Sequence, residues 1–94
     1  MSFASAPTDK AAADFVATEL ERLMSLPLDT AEDAKRWDVA CGDFQTALET
    51  RFPSFKVEHH VWHFFVDSDI RQEDSGYRQR QHQAISDYVT RLRN

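Results

Sequence analysis

Phe55-Lys56-Val57-Glu58-His59-His60-Val61-Trp62-His63-Phe64-Phe65-Val66 is the stretch on which the fold turns. Its valines and aromatics carry high β propensity. Strict alternation, however, sorts it into two mixed faces: Phe55, Val57, His59, Val61, His63 and Phe65 against Lys56, Glu58, His60, Trp62, Phe64 and Val66. Neither is cleanly apolar. Wound at about 100° per residue, the same chain gathers Val57, Val61, Phe64 and Phe65 into one stripe. A strand here would also stand alone, because no second strand is evident to complete its ladder. The spacing predicts a third helix over 55–66, with an intermolecular strand as the alternative.

The flanking segments repeat the helical period. Ala12, Phe15, Val16, Leu20, Leu23 and Met24 recur at three- and four-residue steps and predict a first helix over 9–25, capped by Thr8 or Asp9 and stopped by Pro27. Residues 1–7 lack such a pattern and are expected to form a flexible lead-in to a single domain over 8–94. Asp29 or Thr30 can cap a second helix, whose stripe is Ala34, Trp37, Cys41, Phe44 and Leu48, with Pro53 closing the segment. Gly42 costs that helix about 1 kcal/mol against alanine, and close approach of a neighbouring helix would be one reason for it. Asp67-Ser68-Asp69 has the composition of a turn or cap, Asp69 and Gln72 having the spacing of a capping box. Asp74, Ser75 or Gly76 can start a last helix bearing Tyr77, Gln81, Ala84, Ile85, Tyr88 and Leu92 on one face. The expected fold is an all-α domain, a small bundle of three to four helices that homo-oligomerisation could complete.

Composition narrows the function classes. The chain has 94 residues with a net charge of −5, against the basic footprint that nucleic-acid binding needs. No apolar run approaches the roughly 18 residues that cross a bilayer, and no signal-peptide pattern opens the chain, so a cytoplasmic protein without membrane contact is expected. The single cysteine, Cys41, forms no internal disulfide and is expected in the core. Residues 1–50 hold ten acids and four bases and residues 51–94 six acids and seven bases, so helices from the two halves could pack with complementary charge.

Few residues suggest chemistry. On a helix, His60, His63 and Asp67 fall at i, i+3 and i+7, a spacing that could hold zinc or another divalent transition metal with an open position for water; His59 and His63 form a second pair at i, i+4. The glutamate of the His-Glu-x-x-His metalloprotease pattern is missing. Counted from Asp67, Gln72 stands where an EF-hand loop requires glycine and Arg78 where it needs glutamate. Two glycines, Gly42 and Gly76, leave no phosphate-binding loop, and no serine or cysteine sits in a recognisable nucleophile elbow. The basic run Tyr77–Gln83 has the residues of a solvated helix face, and Arg71 those of an ion-pair partner for nearby acids.

Trp62 and Val66 point away from the apolar stripe of the third helix, which is then apolar on two sides and either central or shared with a partner. The expected function is a non-enzymatic interaction protein that associates with itself or another protein through Trp62, Val66 and Phe65, with no cofactor. The alternatives are a metal-binding, hydrolytic protein using the cluster at 59–67, and an acidic inhibitor of a basic protein partner.

Overall fold

The computed structural model describes residues 5–94, and over these the chain is helical with no strand. Five segments follow in order: α1 (Ser5–Ser25), α2 (Ala31–Arg51), α3 (His59–Val66), α4 (Ser68–Glu73) and α5 (Ser75–Arg93). The all-α expectation holds, with one helix more than the three to four read from the sequence.

Each difference in boundary has a local cause. α1 begins at Ser5, ahead of the expected caps at Thr8 and Asp9. Pro7 lies within the first described turn of α1, and a helix's first turn is where proline is tolerated. Of the expected lead-in, residues 1–4 lie outside the described residues. α2 starts as its sequence predicts: Thr30 accepts a hydrogen bond from Asp33 N–H at 3.0 Å, while the Asp33 carboxylate accepts from the N–H of Thr30 and of Asp29. Those backbone bonds hold the Asp33 carboxyl below its ordinary pKa. Nothing approaches the position a Cβ would take at Gly42, which overturns the close-helix explanation for that glycine.

The predicted helix over 55–66 is shorter by its first four residues. From Phe55 to Glu58 the chain is without helix, with Val57 buried, Phe55 half-buried, and Lys56 and Glu58 exposed. The two-residue alternation thus governs 55–58, and the helical period takes over at His59. Glu58 is the N-cap of α3 without a side-chain cap bond; its carboxylate is engaged by Arg91 of α5 at 3.0 and 3.1 Å.

The expected turn at 67–69 is the start of α4. The Asp67 N–H bonds to His63 O at 2.9 Å and closes α3, and the Arg71 N–H bonds to Asp67 O at 3.0 Å and opens α4. Between them Ile70 N–H donates to the Asp69 carboxylate and Phe64 O accepts from the Arg71 guanidinium, so the helical ladder breaks where the path bends at Asp67. Asp69 lies inside α4 and accepts from Ile70 N–H, so it makes no capping box with Gln72. Asp74 caps α5 by accepting from Tyr77 N–H at 3.0 Å.

Packing follows the apolar stripes. α1 lies along α5; α2 meets α1 and α4; and α3 packs on α5. The core joins Val16, Leu20 and Leu23 of α1, Trp37, Cys41 and Phe44 of α2, Val61, Phe64 and Phe65 of α3, and Ile85, Tyr88 and Val89 of α5. Trp37 donates its indole N–H to Leu23 O at 3.1 Å, so a large ring enters the core with its one polar atom satisfied by the end of α1. Burial raises the Cys41 thiol above its ordinary pKa, in keeping with the core role expected for it. The charge asymmetry between the halves is used in part: Arg93 of α5 pairs with Glu21 of α1, and Arg78 reaches Asp29 at 3.5 Å.

Candidate functional site

α3 positions the candidate residues other than Asp67, its C-cap, because its eight residues present different chemistry on different sides. Val61, Phe64 and Phe65 face inward. Phe64 stands edge-on to Trp37 at 5.4 Å and Phe65 edge-on to Phe44 at 5.8 Å, arrangements that favour the ring quadrupoles. Of the three predicted interface residues, Phe65 is therefore core, buried beneath Trp62, whose ring stands perpendicular to it at 5.4 Å. Trp62 and Val66 are 47% and 69% exposed, and Ile70 of α4 joins them at 42%, continuing the same four-residue step. Three apolar side chains thus face solvent in succession.

Trp62 also forms one lip of an apolar hollow of about 280 Å³ between the end of α2, the 52–58 connection and α3. Leu48, Phe52, Phe55, Val57 and Phe65 form its apolar lining, and Gln45, Glu49 and Lys56 supply the polar part. Sequence periodicity identified Trp62 and Val66 but not the hollow, because its walls come from two helices and the extended 55–58 segment.

The predicted metal residues separate. His60 turns toward α5, its ring edge-on to Tyr88 at 5.4 Å and its Nδ1 3.6 Å from Glu58 Oε1. His63 lies on the exposed side, its Nε2 3.1 Å from His59 Nε2. Asp67 Oδ2 lies 4.0 Å from His63 Nδ1 and is already bonded by Tyr77 O–H at 2.5 Å and Gln81 N–H at 3.2 Å. Among the described residues no group of three or more His, Cys, Asp or Glu is placed to hold a metal ion. His60, His63 and Asp67 share a helical spacing, but neighbouring α5 claims His60 on one side and Asp67 on the other.

Sequence reasoning missed the buried partner of this network. Arg71, expected as a surface ion-pair partner, is 1% exposed and makes no ion pair within 4.0 Å among the described residues. Its guanidinium lies over the Trp37 ring at 4.7 Å and the Phe64 ring at 4.2 Å, and Nη1 donates to Phe64 O at 2.6 Å and to Gln81 Oε1 at 2.7 Å. Nε and Nη2 have no partner. Burial lowers its pKa to about 10, against the opposing pull of Asp67. The hydrogen bond from Tyr77 to Asp67 raises the tyrosine pKa, since the phenol must keep its proton to donate it. Arg71, Gln81, Tyr77 and Asp67 form a chain of polar groups that ties α3 and α4 to α5, and Tyr77 and Gln81 are the two residues of the Tyr77–Gln83 run that it uses. Only the four-residue step from Asp67 to Arg71 hinted at it, and that step does not reveal burial.

Comparison with protein-family models, with curated proteins and with solved structures finds no match for this chain. No helix among the described residues is long and apolar enough to cross a membrane.

Proposed function

We propose that this protein is a non-enzymatic helical interaction module that associates with a second copy of itself through the α3–α4 face. The exposed run of Trp62, Val66 and Ile70 beside an apolar hollow carries this reading. A two-fold contact uses the same patch on both copies, so the patch needs projecting side chains and a recess together. This face has both. Aromatic anchors seated in desolvated pockets dominate binding energy at interfaces, and Trp62 is the anchor. The polar network of Arg71, Gln81, Tyr77 and Asp67 ties α3 and α4, the two helices that carry these side chains, to α5.

Sedimentation velocity on untagged protein tests the proposal over about 1–300 µM, a range that brackets weak and moderate dissociation constants. The expected result is a concentration-dependent rise toward twice the monomer mass of 10.9 kDa. Trp62→Ala should weaken association by about 30-fold, the equivalent of a 2 kcal/mol anchor. Val66→Asp, at a position already exposed, should remove association while leaving the fold intact. A monomer throughout that range, or association indifferent to both substitutions, overturns the proposal.

A further inference from the structure

His59 and His63 are one helical turn apart on the solvent side of α3, and their Nε2 atoms lie 3.1 Å apart. Zinc binds imidazole nitrogen at about 2.0–2.1 Å, so an ion bound by both nitrogens at this separation would subtend an angle of roughly 100°, between octahedral and tetrahedral values. The two rings are already at chelating distance. We propose that His59 and His63 form a two-histidine site for a divalent transition metal of the zinc, nickel and copper class, with water completing the coordination.

The surroundings of His63 support this assignment. Its Nδ1 faces Asp67 Oδ2 at 4.0 Å, and Asp67 is itself held by Tyr77 and Gln81 of α5. Metal-ligating histidines commonly present their second ring nitrogen to a carboxylate. Here the contact is longer than a hydrogen bond, and the negative charge of Asp67 favours the proton on Nδ1, which leaves Nε2 free for the ion. Asp67 is therefore a positioning residue and not a ligand. In the metal-free pair one Nε2–H donates to the other Nε2; on binding, that proton moves to Nδ1 of its own ring and both Nε2 lone pairs turn to the ion. No net proton is released. His60 is excluded because its ring lies against Tyr88, on another side of the helix. Imidazole donors suit borderline metals, whereas calcium and magnesium prefer oxygen. The site is built from neither Trp62 nor Val66, so it is tested independently of self-association.

The experiment uses untagged full-length chain freed of metal by chelator and dialysis, titrated with Zn²⁺ by calorimetry. His59→Ala and His63→Ala should each weaken Zn²⁺ binding at least tenfold, with unchanged far-ultraviolet circular dichroism, while His60→Ala changes it less than twofold. Side-chain ¹⁵N spectra should show zinc-bound His63 as its Nδ1–H tautomer, and Asp67→Asn should move the His63 Nδ1 resonance without moving that of His59. Absence of Zn²⁺ binding at millimolar concentration overturns the proposal. So does an effect of His60→Ala as large as that of His63→Ala, or a bound state in which His63 keeps its proton on Nε2.

Discussion

Replacing Arg71 tests whether a buried charge holds α4 in place. Arg71→Ala removes a charge-assisted pair of hydrogen bonds to Phe64 O and Gln81 Oε1, worth about 1.5–3 kcal/mol each, and a guanidinium lying against two aromatic rings, worth about 2 kcal/mol when desolvated. It also opens a cavity beside Trp37. Against these losses, Nε and Nη2 are buried without partners, and deleting them relieves a penalty of about 1–3 kcal/mol each. The net expectation is a loss of about 3 kcal/mol, close to the lower end for breaking a buried charged contact. Arg71→Met keeps most of the volume, removes the unpartnered N–H groups and leaves Phe64 O and Gln81 Oε1 to find other donors, so it should cost only about 1 kcal/mol. For a domain of this size 1 kcal/mol moves Tm by about 4–8 °C, which predicts a fall of roughly 12–24 °C for alanine and under 10 °C for methionine. Urea and thermal unfolding at pH 7 measure both, at a pH where a group with a pKa of about 10 stays protonated. An alanine variant within about 1 kcal/mol of the parent, or a methionine variant worse than alanine, refutes the reasoning.

Two further changes follow from local geometry. Gly42→Ala should stabilise the protein by about 0.5–1 kcal/mol in urea denaturation, because it removes the glycine entropy cost within α2 and its Cβ meets no atom; destabilisation would contradict the open site. Burial, together with the nearby charges of Arg71 and Arg78, holds the His82 pKa below its ordinary 6.5. The unfolded chain therefore gains a proton at His82 before the folded chain does, and stability present above pH 6.5 is lost as pH falls through the interval down to the folded value. His82→Gln should flatten the decline in urea midpoint between about pH 7 and pH 5, and an unchanged slope would rule out this contribution.

Local interactions in the sequence determined most of the secondary structure. The stripe from Val16 to Leu23, the Thr30–Asp33 cap, the row Trp37, Cys41, Phe44 and Leu48, and the Asp74 cap are legible because each joins residues within a turn or two of one another. The exposure of Trp62 and Val66 was legible for the same reason, since one helical wheel already sets them opposite Val61 and Phe64. The stretch 55–66 carried both periods at once, and local propensity did not locate the change at His59; burial of Phe55 and Val57 against the core set that boundary.

Tertiary structure decided what each polar side chain is for. His60, His63 and Asp67 are equivalent candidates on an isolated helix, but α5 places Tyr88 against the first and Tyr77 and Gln81 against the last, leaving His63 to pair with His59. Arg71 follows the same rule: Asp67, Asp69 and Glu73 lie within four residues of it in sequence, yet in the fold its guanidinium lies against Trp37 and Phe64. Periodicity encodes which way a side chain points along its own helix, whereas its chemistry depends on what a distant part of the chain brings against it, and that is settled only when the helices pack.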